Sequence, residues 1–345
     1  MHNALTSNRP QSSVRHDEAN ALTKACFVFD CLSNEYVLDE SYAQACLEAG
    51  VNATNVTFAA ELDWDGTLKL WEKYLEKIDK SPLLHLALNS ADVERAQTEG
   101  KLAVIPGTQG ASMIDDQLWR LSLLFRLGLR FIGLTYSQSN RLAAGCGEFN
   151  DAGLSFLGKE FVAAVNDLPM FLDLSHTGHE SRRQAIELAK NPTFTHANAY
   201  SVTANDRNVK DAELRAVVEK GGMVGLCCLP STVRKSQATV TDLIDHADYL
   251  VSTFGVEICG LGLDYSDGYI DSRVQPPESI RWRTLRPDVF GTNHDFFNLK
   301  YPQGVETIKG LPNITATLLD RGYSTDQISA ILGGNWMRTI RNVLG

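Results

Sequence analysis

No stretch of this chain approaches the roughly 18 consecutive apolar residues of a membrane-spanning helix, so no membrane partner is expected. Its first residues, MHNALTSNRPQSSVRHDEANALTK, are polar and lack the apolar centre of a secretory signal. There is no basic run, no zinc-finger spacing and no glycine-rich phosphate loop, and the formal net charge is −10. An electrostatic footprint for nucleic acid is therefore not expected. Cysteine is sparse: seven residues, odd in number and scattered, with Cys227 and Cys228 adjacent inside an apolar run. That usage speaks against a disulfide framework and for reduced, packed thiols in a cytoplasmic protein. What is present is 345 residues, 43% of them hydrophobic, enough for a sizeable core. Roughly 250 residues suffice for a closed parallel barrel, and more than 400 occur with insertions. The polar composition of residues 1–24 predicts a loosely draped arm ahead of one domain spanning 25–345.

Short apolar runs alternate with longer helical patterns. Eight runs read as strands: Cys26–Cys31, Val51–Phe58, Leu102–Thr108, Phe131–Tyr136, Met170–His176, Pro192–Ala197, Gly222–Leu229 and Ile258–Tyr265. Several are nearly continuous in apolar residues, as strands buried on both faces should be. Helical patterns fill the gaps at Gly66–Lys80, Asp115–Leu127, Gly158–Asn166, His179–Lys190, Lys210–Lys220 and Thr241–Thr253. The alternation predicts an α/β fold with a parallel sheet. Eight repeats without a GxGxxG motif favour a single-domain (β/α)8 TIM-type barrel over a doubly wound sheet. A ninth strand-like run, Leu83–Asn89, is read as an added strand or buried helix turn outside the barrel count. Residues 268–304, with Trp282, Asn293, His294 and several prolines, read as a lid-like loop over the barrel mouth. Helix returns over Thr315–Leu344, where Ser324 to Gln327 has the form of a capping box.

In a barrel of this kind function sits at the C-terminal ends of the strands. The first run ends near Asp30, Ser33 and Asn34, the third at Gln109 and the fourth at Tyr136. The fifth ends at His176, the sixth reaches His196, and the eighth ends GLDYSDG, with Asp264 and Tyr265. Two histidines and an aspartate on strands five, six and eight suit one divalent metal ion. Neutral imidazole is a good zinc ligand, and a carboxylate can bind metal or take a proton from an activated water.

These segments resemble the membrane (renal) dipeptidase family of the metal-dependent amidohydrolase superfamily. The likeness runs from about Phe27 to the C-terminus. It is carried by MFLDLSH (Met170–His176), THAN (Thr195–Asn198), Asp206-Arg207-Asn208, GLGLD (Gly260–Asp264), YPQGVETIKGLPN (Tyr301–Asn313) and LGGN (Leu332–Asn335). The resemblance implies a (β/α)8 barrel and a homodimer. It also implies a two-zinc site made by a His-x-Asp pair on strand one, a bridging Glu on strand three, histidines on strands five and six, and an Asp on strand eight. His176, His196 and Asp264 match. Arg207 matches the arginine that holds a substrate carboxylate, a task for which the guanidinium fork offers bidentate, charge-assisted hydrogen bonds.

The departures matter as much. Leu32-Ser33-Asn34 stands where the family has His-x-Asp, Gln109 where it has the bridging Glu, and Tyr136 where a strand-four His meets substrate. The ligand set loses two formal negative charges, which weakens dication binding. Asp30 and Cys31 lie close enough in sequence to compensate, although a packed thiol is the favoured reading of Cys31. The first reading is a dipeptidase-like hydrolase acting on an amide of a small carboxylate-bearing molecule. It has one divalent metal, zinc by preference, on His176, His196 and Gln109, and Asp264 as catalytic base. Arg207, Tyr136, Asp30, Asn34 and Tyr265 are the expected substrate contacts. Two others stay open: a tautomerase, lyase or decarboxylase on an anionic small molecule in the same pocket, using the Tyr136 phenol as proton donor, and a non-catalytic binding protein on the same fold.

Overall fold

The structure is a computed structural model that describes residues 11–266, 285–291 and 299–345. Among the described residues there are nine short parallel strands: β1 (Phe29–Ser33), β2 (Ala53–Ala59), β3 (Leu84–Leu86), β4 (Leu102–Thr108), β5 (Phe131–Gly133), β6 (Phe171–Asp173), β7 (Pro192–Thr193), β8 (Val224–Leu226) and β9 (Cys259–Leu261). They are ordered β7-β6-β5-β4-β2-β1-β9-β8. A parallel bridge between Phe194 and Val224 joins the two ends. The result is a (β/α)8 barrel in chain order, with β3 outside the count. β3 pairs only with the first half of β4, through Leu84–Leu102 and Leu86–Val104, whereas β5 takes its end at Gly107 and Thr108. The run around Leu83–Asn89 is therefore an added strand.

Strand alternation sorts the core into two layers. Phe29, Cys31, Ala53, Ala103, Ile105, Phe131 and Phe171 form an inner cluster with Trp336 and Met337. Phe131 and Phe171 stack at 4.4 Å, and the fully buried Trp336 donates its indole N–H to Leu261 O at 3.0 Å. Trp336 belongs to the helix Asn335–Leu344, so the C-terminal segment plugs the bottom of the barrel. The complementary face of the strands, with Val28, Val56, Phe58, Val104, Ile132, Leu172 and Leu226, packs against the surrounding helices. The predicted helices are present within a few residues of their expected ends, among them Trp64–Lys80, Phe156–Asn166, His179–Leu188 and Val240–Phe254. The capping box at Ser324 is formed, and a π-helical turn over Ala330–Gly334 follows it.

One expectation is corrected at the N-terminus. The stretch expected to be loosely draped forms a helix, Gln11–Ala25. Ala19 and Thr23 are fully buried there, and Thr23 Oγ1 lies 2.6 Å from Thr315 Oγ1 on the helix Leu311–Asp320. A few small residues on one face give it a seat that its polar composition concealed. The lid expected around 268–304 falls largely outside the described residues, as do Trp282, Asn293 and His294. All seven cysteines are buried and unpaired. No described helix is long and apolar enough to cross a membrane.

Candidate active site

The C-terminal ends of the strands open into a cavity of about 320 Å³. Asn34, Gln109, Tyr136, Ser137, His176, Arg207 and Asp264 line it, together with Phe290, Tyr301 and an apolar wall that includes Phe58 and Leu62. Most of these residues lie one to three positions beyond a strand end, where the backbone leaves the ladder and the side chain turns into the mouth.

At the centre, three neutral donor atoms converge. His176 Nε2 lies 2.9 Å from Gln109 Oε1 and 3.0 Å from His196 Nε2. Gln109 is oriented from its other end, because its Nε2 donates to Thr57 Oγ1 at 2.9 Å and Asn34 Oδ1 at 3.4 Å. Tyr136 stacks on the His176 ring at 4.2 Å, and Ser137 Oγ lies 3.2 Å from His176 Nδ1. His196 is fully buried behind His176, with Nδ1 2.7 Å from Thr195 Oγ1. Burial, then the nearby Arg207 guanidinium, pushes both imidazoles well below their ordinary pKa, with Arg182 adding to the effect. Both rings are therefore neutral, the form that ligates metal.

Two glycines explain why the backbone can approach so closely here. A Cβ on Gly262 would lie 1.8 Å from Thr195 O, and one on Gly133 would lie 2.5 Å from the Gln109 backbone. The GLGLD and FIG segments thus let neighbouring strand ends press His196 and Gln109 inward.

Asp264 adopts a left-handed backbone conformation, φ +53, that is uncommon for a residue with a side chain. It is over-determined by its neighbours: its N–H donates to Leu32 O at 3.3 Å and its carbonyl accepts from Tyr301 OH at 2.9 Å. Such strain is tolerated where the surroundings enforce it, and it is common at functional sites. The Asp264 carboxylate lines the cavity, with Oδ2 3.9 Å from Cys227 Sγ. Burial, then the charge of Asp264, pushes the Cys227 thiol up to about 12, so this sulfur is neutral.

Arg207 is 1% exposed yet lines the cavity. Its guanidinium donates to Ser175 O and, at 3.5 Å, to His196 O, while its buried Nε finds no partner among the described residues. A second buried cation beneath it, Arg182, ties together Leu174 O, Ser175 O, Arg207 O and Asn208 O. On the far side, Arg286 pairs with Asp206 at 2.7 Å, and Asn205 Nδ2 donates to Val289 O at 2.9 Å. Segment 285–291, which contributes Phe290 to the cavity wall, is thereby fastened to the loop that carries Arg207.

Of the residues singled out in the sequence, His176, His196 and Gln109 come together; His176 and Gln109 line the cavity with Asp264, Arg207, Tyr136 and Asn34, and His196 lies buried behind His176. Asp30 and Tyr265 do not. Phe29 and Cys31 face the barrel interior, so alternation turns Asp30 away from it. The Asp30 carboxylate accepts from Leu263 N at 2.7 Å, Leu32 N at 3.3 Å and Ser33 Oγ at 3.1 Å. Burial raises it to about 6. Tyr265 is buried with its hydroxyl donating to Val305 O at 2.8 Å, and only its carbonyl reaches the site, accepting from Asn34 and Tyr36. Cys31 is a packed thiol that burial and then Asp173 hold well above its usual range. Ser137, Thr195, Asp173 and Arg182 were not singled out; hydroxyl and carboxylate partners of a histidine become visible only once the strand ends are juxtaposed.

The donor set can be tested against a metal. Two neutral imidazole nitrogens and an amide oxygen, with His196 Nε2 and Gln109 Oε1 each within hydrogen-bonding distance of His176 Nε2, fit one divalent ion. They do not fit two. Leu32 offers no ligand, Asn34 offers only a neutral amide oxygen that already accepts from Gln109 Nε2 at 3.4 Å, and Asp30 is engaged elsewhere. Among the described residues no group of three or more His, Cys, Asp or Glu side chains is arranged to hold a metal.

The fold is a parallel barrel with paired histidines, an aspartate and a buried arginine gathered at its C-terminal mouth, and the family match makes it a barrel hydrolase. The chain belongs to the membrane dipeptidase family (peptidase family M19), whose family model matches residues 36–275 and 288–344. It is 26% identical over 354 residues to an uncharacterized dipeptidase of Schizosaccharomyces pombe, covering 97% of this chain and 72% of that protein. Among solved structures, an amidohydrolase from Pseudomonas aeruginosa superposes with a TM-score of 0.84 at 26% identity, covering 95% of this chain and 99% of that one. A metallo peptidase from Rhodobacter sphaeroides, solved with a phosphinate mimic of the dipeptide L-Ala-D-Ala, shares the fold at a TM-score of 0.74 and 20% identity, covering 92% and 99%.

Proposed function

We propose that this dipeptidase-family hydrolase cleaves the amide bond of a small, carboxylate-bearing substrate of dipeptide type, using a single divalent metal ion, with zinc favoured by the nitrogen donors. The observation that carries the reading is the convergence of His176 Nε2, His196 Nε2 and Gln109 Oε1. A cavity of about 320 Å³ lies at the small end of ligand sites, which suits a substrate of this size.

When bound, the ion supplies Lewis acidity and lowers the pKa of a water molecule. The remaining roles fall to the chain's own residues. Arg207, which lines the cavity, holds the substrate carboxylate in a buried setting where a charge-assisted hydrogen bond is strong. Asp264 takes the proton from the attacking water and hands it to the departing nitrogen. Tyr136, stacked on His176, holds that ring in place and presents a phenol where substrate enters. Phe290 and Tyr301 wall the cavity and limit the water that reaches it.

The test is hydrolysis of a panel of dipeptides beside the same dipeptides with an amidated C-terminus, using zinc-supplemented protein. Cleavage confined to free carboxylates is the expected result. Failure to cleave any member, at any zinc level, would remove the hydrolase reading.

A further inference from the structure

The two histidines differ in what stands behind them. Thr195 Oγ1 lies between Asp173 Oδ2, at 2.8 Å, and His196 Nδ1, at 2.7 Å. A threonine hydroxyl has one proton to give. The Asp173 carboxylate accepts four hydrogen bonds. Ser175 N at 3.1 Å, Ser175 Oγ at 2.6 Å and Thr195 N at 2.9 Å reach Oδ1, and Thr195 Oγ1 reaches Oδ2. Ser175 shows the consequence: having given its proton to Asp173, its oxygen accepts the main-chain N–H of His196 at 3.2 Å. Thr195 is in the same position, so its oxygen accepts from His196 Nδ1–H. A neutral imidazole carries a single N–H. His196 Nε2 is then a bare lone pair facing His176 Nε2.

His176 has the opposite arrangement. Its Nε2 faces the oxygen of an amide whose nitrogen is committed to Thr57 and Asn34, so Nε2–H donates to Gln109 Oε1. At its other nitrogen stands the Ser137 hydroxyl, 3.2 Å away, a rotor able to donate or accept. His176 can exchange tautomers by a local move; His196 cannot.

We propose that Asp173 is a positioning residue which, through Thr195, fixes His196 in the tautomer that offers Nε2 as a ligand. The inference rests on the reading of His176 and His196 as a ligand pair. Outer partners of a metal-binding histidine typically contribute 10- to 100-fold in metal affinity.

Long-range 1H–15N correlation spectra of the full chain, kept metal-free with chelator, read the two tautomers directly. His196 is expected to show a protonated Nδ1 and a bare Nε2, and His176 the reverse. In Asp173→Asn an amide N–H replaces Oδ2 as the neighbour of Thr195 and turns the hydroxyl proton toward His196 Nδ1. The His196 tautomer should then invert, and affinity for added zinc chloride should fall about 10- to 100-fold. A protonated Nε2 on His196 in the unsubstituted chain, or an Asp173→Asn spectrum with the tautomer unchanged, overturns the proposal. Should Asp173→Asn fail to fold, Thr195→Val removes the acceptor and Thr195→Ser restores it. The tautomer population must shift in the first and return in the second, and no shift in Thr195→Val also overturns the proposal. The expected tautomers in a chain that takes up no zinc would uphold the relay and overturn only the metal reading.

Discussion

His176 and His196 face each other through their Nε2 atoms at 3.0 Å, in a buried setting that an arginine shares. Two imidazoles this close and this dry stay neutral, and that has a consequence for folding. Their folded-state pKa values lie well below the ordinary 6.5. As pH falls below 6.5 the unfolded chain takes up protons that the folded chain refuses, so stability is full above that value and is lost on acidification. Asp30 works in the opposite direction. Raised from 3.8 to about 6, it costs stability as pH rises through that window, on the order of 3 kcal/mol in full. Urea denaturation of the metal-free chain from pH 7.5 to 4.5 should therefore show stability falling with acid. In Asp30→Asn, which lacks the opposing titration, the fall should be steeper. A shallower fall in Asp30→Asn would contradict the assignment.

Asp264 should divide from the histidines in what it loses. Replacing either imidazole leaves too few protein donors for a stable zinc site. Asp264 makes its proton transfers from the cavity wall, so Asp264→Asn should keep its metal and lose about 10²- to 10⁴-fold in kcat. Metal content and turnover, measured side by side for Asp264→Asn, His176→Ala and His196→Ala, check this. Loss of metal from Asp264→Asn as complete as in the histidine variants would make Asp264 a ligand.

Arg207 should set the preference for a carboxylate. Arg207→Lys keeps the charge and loses the fork. With a charge-assisted hydrogen bond worth about 1.5–3 kcal/mol, kcat/KM on a free dipeptide should fall roughly 10- to 100-fold. Any activity on the amidated analogue should change far less. Equal losses on both would show that Arg207 acts only through its bonds to Ser175 O and His196 O.

The barrel was legible because strands buried on both faces write continuous apolar runs, and the extra run at Leu83 resolves once β4 is seen to divide its edge between β3 and β5. His176, Gln109 and Asp264 were legible because run ends become the mouth. Tyr265 misled for the same reason: it follows a run end, but its ring turns into the core to reach Val305 O. Asp30 misled because closeness in sequence to the lost ligand positions does not fix a face: Phe29 and Cys31 take the inner face of β1, and the strand shifts register between Asp30 and Ser33. The helix Gln11–Ala25 was hidden because Ala19 and Thr23 are small residues in a polar context, and their burial depends on a partner nearly 300 positions away in the chain. Asp173 and Thr195 lie inside the recognisable MFLDLSH and THAN segments, yet their service to His196 depends on β6 and β7 lying side by side.

The most direct measurement is the metal stoichiometry of the full chain, expressed with zinc in the medium and purified without chelator, by elemental analysis. One zinc per chain, absent from His176→Ala and His196→Ala, is the expected result. Two tightly held metals per chain would mean that other side chains replace the ligands lost at Leu32, Asn34 and Gln109. None at all, in a chain that still turns over a substrate, would contradict the single-metal site and shift the chemistry to Tyr136 and Asp264.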